Sequence, residues 1–255
     1  MKDRSALGSK PSLNDSGKAD PEGSLFLRHA SPAVTAVLVD AGFFLVRSRR
    51  IFGKQGPEET ARTLHGLALD HLNAPRNGPR VSRLYRIFVY DAHPSSWKGH
   101  TPLGKSPVDY GRSEVAVWRR AFHDALRSQR KVALRLGELP TSHVHWRLKQ
   151  KALHALCQGA RDWTDITDAD FHLDLRQKGV DMRLGIDIAA LSFKQQVNQI
   201  ILVSGDSDFV PAAKLARREG IDFILDPMWA TIRPDLHEHI DGLRSVCPRP
   251  TAATP

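Results

Sequence analysis

The stretch that decides the fold is QIILVSGDSDFVPAAKLARR, residues 199–218. It begins with QIILV, a short apolar run typical of a buried strand, and it ends with small and apolar residues at helical spacing. The polar turn between them contains Asp206 and Asp208. A strand, an acidic turn and a helix in this order predict one βα unit of a parallel sheet, with both acids at the carboxyl end of the strand.

The same alternation continues in both directions along the chain. Further strands are predicted at residues 33–39, 84–90, 131–136 and 221–225, with a short extra one at 171–175, and helices are predicted at 58–72, 112–127, 179–193 and 208–218. This pattern predicts an α/β fold, with a mostly parallel sheet covered by helices on both faces. Right-handed crossovers would then place every strand-to-helix loop on one rim of the sheet.

Composition predicts where the folded domain begins and ends. Residues 1–31 are rich in Ser, Gly, Pro, Lys and Asp, so a disordered N-terminal tail is expected, and residues 248–255 predict a second tail. The domain between them would span residues 32–247. Residues 139–170 break the alternation with HVHW, a basic run and the acidic loop DWTDITDAD. We interpret this segment as an insertion in the scaffold.

Charge and cysteine usage indicate the setting of the protein. The formal net charge is +9 with a pI near 9.8, and an excess of Lys and Arg favours polyanionic partners. No apolar run approaches the length of a membrane span, so no membrane partner is expected. Cys157 and Cys247 are too distant to suggest a metal-ligand pair, and a disulfide framework is not indicated. We therefore expect a cytoplasmic protein, with a homodimer as one candidate assembly.

Acidic side chains follow three of the predicted strands. Asp40 comes directly after AVLV, Asp91 after IFVY, and Asp206 and Asp208 just after IILV. The carboxyl ends of strands border the crevice where ligands bind in open α/β sheets. Carboxylates that converge there raise each other's pKa unless a cation neutralises them, and hard oxygen ligands suit Mg²⁺ or Mn²⁺. The sequence thus predicts a metal site at this rim.

The predicted helix at residues 179–193 adds two more acids. Asp187 falls within an apolar stripe, where a carboxylate is costly unless it is paired or metal-bound. Asp181 lies at the helix start, ~9 Å along the axis from Asp187, so one is expected to bind metal and the other to orient it. Purely structural roles stay open for these acids: Asp208 or Asp181 could cap a helix, and Asp187 could pair with a buried Arg.

Three segments carry a family resemblance. VDAGFF, KGVDMRLGIDIAAL and ILVSGDSDFVPAAKLARREG resemble the signature segments of NYN-domain proteins of the LabA-like branch, within the PIN-like nuclease superfamily, and the likeness runs over roughly residues 35–245. The resemblance implies a PIN-like (Rossmann-like) three-layer α/β/α sandwich, dependence on Mg²⁺ or Mn²⁺, and endoribonuclease activity. It also implies that the metal and catalytic residues are Asp40, Asp181, Asp206 and Asp208.

One position departs from the family pattern. Many relatives have Asn three residues after the first aspartate, where this chain has Phe43. The loss of a hydrogen bond behind the metal ligands would weaken their placement. Supporting roles are expected for Asp187, Asp91, Ser204 and Ser207, whose side chains could orient a ligand or contact phosphate.

Basic and aromatic residues supply a candidate RNA groove. The basic run closest to the acids consists of Arg47, Arg49, Arg50 and Lys54, which would track a phosphate backbone. Trp97 and Trp229 are expected in loops, where they could stack bases, whereas Trp118 is expected in the core. His143 and His145 could bind zinc, but the absence of a third ligand nearby favours a surface pair.

The function that these features predict is metal-dependent hydrolysis of RNA phosphodiester bonds. The alternative is a non-catalytic RNA-binding or protein-binding regulatory module on the same fold, which Phe43 favours and the retained acids oppose. A phosphatase or small-nucleotide hydrolase is a third interpretation, and the basic charge argues against it because a small substrate needs no basic groove.

Overall fold

The computed structural model describes residues 32–73, 82–139, 144–175 and 179–250. Its strands are β1 (Val34–Asp40), β2 (Arg83–Ala92), β3 (Lys98–His100), β4 (Pro107–Asp109), β5 (Val132–Gly137), β6 (His145–Leu148), β7 (Phe171–Asp174), β8 (Gln199–Val203), β9 (Asp222–Asp226) and β10 (Gly242–Leu243). Its α-helices are α1 (Ala41–Phe52), α2 (Pro57–Asn73), α3 (Glu114–Ser128), α4 (Gln150–Cys157), α5 (Val180–Phe193), α6 (Val210–Arg218) and α7 (Pro234–Glu238).

The main sheet has six strands in the order β10-β9-β8-β1-β2-β5, and every neighbouring pair is parallel. Strands β1 and β8 are neighbours in the middle, although most of the chain separates them in sequence. The connections from β1 to β2 and β5 run outward in one direction, and those from β8 to β9 and β10 run in the other. The order therefore reverses between β1 and β8, and such a switch point opens a crevice at the carboxyl ends of the strands.

Each face of the sheet is covered by its own helices. On one face, Leu38 and Tyr90 pack with Leu184 and Ile188 of α5, and α6 and α7 complete the layer. On the other face, Val37 and Val89 of the sheet are covered by α1, α2 and α3. Side chains of the central strands are buried on both faces, which explains why β1 and β8 read as unbroken apolar runs. The predicted three-layer α/β/α sandwich is confirmed.

Two small antiparallel sheets lie outside the main one. Strands β3 and β4 form one, and β6 and β7 form the other. Trp97, Tyr110 and Trp146 join them through edge-on and tilted ring contacts, with centroids 5.8–6.5 Å apart. The extra strand predicted at residues 171–175 is thus real, but it pairs with β6 rather than with the main sheet.

The last described segment is tied to the sheet and to α2. The hydroxyl of Ser245 donates to Asp226 at 2.9 Å, and Arg244 donates to the carbonyl of His71 at 3.1 Å. The indole of Trp229 donates to the carbonyl of Cys247 at 2.8 Å. Residues beyond β9 therefore contribute to the interior of the domain.

Some expectations fall on the undescribed parts of the chain. The predicted tail at residues 1–31, most of the tail at 248–255 and His143 lie outside the described residues. Among the helices that the structure does describe, none has the length and apolar character needed to cross a membrane.

Candidate active site

The inner strands β1 and β8 carry the acids nearest the switch point. Val39 pairs with Val203 across the two strands, so Asp40 lies beside Ser204, just before the turn that contains Asp206. Asp40 ends β1 and also caps α1, because its Oδ1 accepts a hydrogen bond from the amide of Phe43 at 3.1 Å. One carboxylate oxygen is therefore anchored to backbone at the floor of the crevice.

Asp208 lies in a single turn of 3₁₀ helix, residues Ser207–Phe209, and Asp206 is the cap residue that precedes it. The carboxylate of Asp206 accepts the amide of Asp208 at 2.9 Å, and the amide of Asp206 donates to the hydroxyl of Ser204 at 3.2 Å. Helix α6 begins only at Val210, and its cap position is Phe209, which makes no side-chain capping bond. Asp208 therefore does not cap α6, Asp206 caps only the 3₁₀ turn, and the carboxylate of Asp208 is exposed.

Asp181 reaches the same rim from helix α5. Gly179 precedes the helix with φ of 77°, a left-handed conformation that glycine adopts without a Cβ penalty, and Asp181 follows in the first turn. Burial raises the pKa of Asp181, and the negative charges of Asp206 and Asp208 raise it further. Asp181 is therefore close enough to Asp206 and Asp208 for their negative charges to raise its pKa.

Asp40 experiences the same repulsion. Burial is the largest cause that raises its pKa, and the charges of Asp181 and Asp206 add to it, while the hydrogen bond from Phe43 acts in the opposite direction. Among the described residues, no Lys or Arg forms an ion pair with Asp40, Asp181, Asp206 or Asp208. These four carboxylates are thus linked by mutual repulsion, and no cationic side chain within the described ranges neutralises them. We call these four residues the acid cluster.

The donor chemistry of the acid cluster suits a hard divalent cation, which carboxylate oxygens bind and whose charge would relieve their repulsion. The side chains do not yet surround a common point, since within the described ranges no three His, Cys, Asp or Glu residues are arranged to hold a metal ion. Donor type and charge fit a metal, whereas a complete ligand shell would require side-chain movement.

Phe43, the position at which the family resemblance implies Asn, has a packing role here. Its ring lies over Gly205, where an added Cβ would stand only 2.8 Å from the ring carbon Cε2. Phe43 also packs against the core layer that contains α1 and α2. The ring and the glycine therefore fit each other, and together they fix the turn that carries Asp206. Ser204 is buried beneath this turn and Ser207 is half-buried on it.

Asp91 and Asp187 are not brought into the acid cluster. Asp91 is buried and pairs with His123 at 2.7 Å and Arg119 at 3.1 Å. Asp187 accepts the hydroxyl of Tyr90 at 2.8 Å and the Nε of Arg135 at 3.1 Å, so it does pair with an Arg, although this Arg is exposed rather than buried as the open alternative had it. Neither acid is among the charges that act on Asp40 or Asp181.

One residue of the predicted basic run is buried, and the other three are exposed. Arg47 is buried, and its guanidinium donates to the carbonyl of Met228 at 3.0 and 2.5 Å. The prediction that Arg47 binds RNA is therefore corrected, because the side chain is buried and its Nε and Nη2 both donate to a carbonyl inside the protein. Arg49, Arg50 and Lys54 are exposed at and after the end of α1 and remain available to phosphate.

Sequence reasoning did not identify the contacts that hold Asp91 and Asp187. Arg119 and His123 are one helical turn apart on α3, which would have marked them as a pair facing one acid. Tyr90 gave no signal, because it reads as one more apolar residue of β2. Of the tryptophans, Trp118 stacks on Phe122 in the core, as predicted, while Trp97 and Trp146 are taken up by the aromatic contacts described above.

Comparison with known proteins gives a limited set of similarities. The family model described as NYN domain matches residues 120–232, which is less than half of the chain and includes Asp181, Asp206 and Asp208 but not Asp40. A crystal structure of a protein of unknown function from Vibrio parahaemolyticus is 14% identical, with a TM-score of 0.44 over 84% of this chain and 93% of that one. No curated protein matches the chain.

NYN domains belong to the PIN-like nuclease superfamily. The matched segment contains α5, β8 and α6, which carry three of the four acids of the cluster. The parallel six-stranded sheet with helices on both faces agrees with that family's fold. The match over residues 120–232 therefore supports an NYN domain protein with a PIN-like α/β fold.

Proposed function

We propose that this chain is an endoribonuclease of the LabA-like NYN branch that hydrolyses RNA phosphodiester bonds with Mg²⁺ or Mn²⁺. The observation that carries the proposal is the acid cluster, four carboxylates at the switch point that repel one another and have no cationic partner among the described residues. Such an arrangement costs stability in the absence of a ligand. A site of this kind is therefore best explained by a bound divalent cation.

All four residues of the cluster would bind that cation. Asp40 and Asp206 each have one oxygen fixed by a backbone amide, which sets the direction of the other oxygen. Asp181 and Asp208 approach from the first turn of α5 and from the 3₁₀ turn, and both are exposed to solvent and substrate. When bound, the cation would supply the positive charge that activates water and offsets charge on the phosphate.

The polyanionic substrate follows from charge. The chain has a formal net charge of +9, and Arg49, Arg50 and Lys54 are exposed at and after the end of the helix that Asp40 caps. These side chains lie about 14 Å or more along α1 from Asp40, a span of a few nucleotides, and would draw an RNA backbone towards the cluster. We extend the proposal to a cytoplasmic enzyme, with a homodimer as a candidate assembly.

A non-catalytic RNA-binding module is the second candidate function. Phe43 in place of Asn and the incomplete ligand shell favour it, since both leave the metal ligands less well ordered. The acid cluster favours the enzyme, because a binding module gains nothing from four mutually repelling acids that face a polyanion.

Cleavage of labelled substrates separates these functions. Purified protein is incubated with single-stranded RNA, DNA and a phosphomonoester, with Mn²⁺ or with EDTA. The nuclease proposal expects RNA cleavage in Mn²⁺ alone, with loss of cleavage in Asp206→Asn and retention in Asp124→Asn, an exposed acid of α3 that pairs with Arg127. RNA binding without cleavage would establish the binding module, and cleavage of the monoester alone would establish a phosphatase.

A further inference from the structure

A cavity of about 390 Å³ lies beside the acid cluster, between the end of β2 and the first turns of α3. Its walls are mainly apolar, with a few polar groups; they include Ala92, Ala116, Leu139, Tyr110, His93 and Arg119. Cavities with apolar walls and a small number of polar groups are the usual form of a small-ligand site.

The cavity is on the same rim as the acid cluster. Asp40 is in register with Tyr90 on the neighbouring strand, and β2 continues two residues further to Ala92, which lines the cavity. With strands ~4.8 Å apart and a rise of ~3.3 Å per residue, the Cα atoms of Asp40 and Ala92 are separated by about 8 Å. A single strand of RNA with one phosphate at the acid cluster could therefore place a neighbouring base in the cavity.

Arg119 is the polar group that points to a ligand. Its buried Nη1 forms an ion pair with Asp91 at 3.1 Å, while the side chain as a whole is 27% exposed and lines the cavity. Asp91 is itself fixed by His123 at 2.7 Å and by the amide of Ala92 at 2.8 Å. Asp91 and His123 thus hold one side of the guanidinium at the cavity, and its other nitrogens, which form no hydrogen bond among the described residues, can donate to a ligand there.

We propose that this cavity binds one base of the RNA substrate and prefers guanine, with Arg119 as the specificity-determining residue and Asp91 as its positioning residue. The proposal rests on the proposed nuclease function. Apolar walls accommodate the faces of a base. Arginine carries donors only, so it matches the adjacent O6 and N7 acceptors of guanine, whereas adenine places an amino donor at the corresponding edge.

The first test measures binding without metal, so that it does not depend on catalysis. Guanosine and adenosine 5′-monophosphates are titrated into the full chain by calorimetry. Guanosine monophosphate is expected to bind about fivefold or more tightly than adenosine monophosphate. Arg119→Gln should remove that preference, and Arg127→Gln, an exposed arginine on the same helix, should retain it. Equal binding of the two nucleotides by the natural chain overturns the proposal.

A second pair of variants tests the cavity without removing any contact of Asp91. Val115 lines the cavity and is 74% exposed, and Val117 is 52% exposed on the same helix but does not line it. Val115→Trp should block guanosine monophosphate with a loss of about fivefold or more, while Val117→Trp should stay within about twofold of the natural chain. Equal effects of the two tryptophans would overturn the assignment of the cavity.

Mapping of cleavage positions on an unstructured RNA separates this inference from the proposed function. If both hold, cuts cluster beside guanines, Arg119→Gln spreads them over all bases, and Asp208→Asn abolishes them. Metal-dependent cuts that ignore base identity would overturn the cavity proposal and leave the nuclease intact. Absence of cleavage in the natural chain would overturn the nuclease and, with it, the place of this cavity on an RNA path.

Discussion

Four central strands, β1, β2, β8 and β9, each deliver an aspartate to the same rim, but the inner and outer acids have different surroundings. The outer acids, Asp91 at the end of β2 and Asp226 at the end of β9, are buried, and each pairs at 2.7 Å with a buried histidine, His123 or His71. The inner acids, Asp40 and Asp206, are half-buried or exposed and have other carboxylates as charged neighbours.

The difference shows what converts a strand-end acid into a structural residue. Asp226 also accepts hydrogen bonds from the amide of Met228 at 2.7 Å and the hydroxyl of Ser245 at 2.9 Å. A carboxylate with three donors is satisfied within the protein and does not need a ligand. All four acids lie at the same rim. Their roles differ because the helices that cover the sheet place a histidine against each outer acid.

The largest expected effect is on RNA cleavage, which should depend on the inner acids. Asp208→Asn removes a metal-attracting charge from the cluster but keeps the size of the side chain, so Mn²⁺-dependent RNA cleavage should fall by orders of magnitude. The metal-free fold should be as stable as before or slightly more stable, because a repulsive charge is gone. Cleavage assays are paired with thermal melts in Mn²⁺ and EDTA. A variant that keeps both cleavage and the Mn²⁺-dependent rise in melting temperature would remove Asp208 from the site.

Breaking an outer pair should affect stability instead. Asp226→Ala leaves His71, Met228 and Ser245 without their shared acceptor in a fully buried position, so the free energy of unfolding should fall by about 3 kcal/mol. Chemical denaturation gives the value, with Asp208→Ala as the matched inner-acid variant, for which a much smaller loss is expected. Similar losses for the two alanine variants would contradict the distinction between inner and outer acids.

The pH dependence of stability offers a finer comparison. Burial first, and then neighbouring charges, raise the pKa values of Asp40 and Asp181 above the ordinary value of 3.8. Between that value and the raised ones, the folded chain binds more protons than the unfolded chain, so this contribution to the free energy of unfolding falls as pH rises. Asp206→Asn removes a charge that acts on both residues.

Metal-free melts at a series of pH values from about 4 to 7 measure this effect. The melting temperature of Asp206→Asn should decline less steeply with rising pH than that of the natural chain. Asp124→Asn, on the exposed surface of α3, should follow the natural chain. Parallel curves for Asp206→Asn and the natural chain would show that the inner acids do not repel one another.

The smallest effect concerns the exposed basic residues at the end of α1. Arg50→Gln should weaken RNA binding only a few fold, and it should reduce the slope of log affinity against log salt by about 0.7, the value for one phosphate contact on a single strand. Arg47→Gln should lower stability instead, because its guanidinium holds the carbonyl of Met228. Anisotropy titrations at several salt concentrations measure the slope. An unchanged slope in Arg50→Gln would place the RNA elsewhere.

Much of the fold was predictable because its strands are buried on both faces and its helices alternate with them. Helix α1 was missed, since no loop separates it from β1 and Asp40 is both the last residue of the strand and the cap of the helix. The small sheet of β6 and β7 was also missed, apart from the strand at residues 171–175. Their short strands alternate between exposed and half-buried or buried residues and lack the continuous apolar run of the main sheet.

For the candidate site, the position of an acid was predictable but its partners were not. The sequence pattern places Asp40, Asp91 and Asp206 at strand ends with equal weight. Whether an acid is neutralised depends on residues far away in sequence, such as His123 for Asp91 and Arg135 for Asp187, which lie 32 and 52 positions away. Those partners meet the acids only after the helices pack on the sheet, so local patterns could not reveal them.

The order of the sheet also has a consequence for synthesis of the chain. Strand β1 leaves the ribosome long before β8, one of its two hydrogen-bonded neighbours, which begins at Gln199; their side chains meet across 164 positions in the contact of Thr35 with Gln199. Until then β1 has an open edge, a liability for pairing with other chains. A nascent or truncated chain that stops before β8 holds Asp40 and Asp181 but lacks Asp206 and Asp208, so it carries only half of the acid cluster.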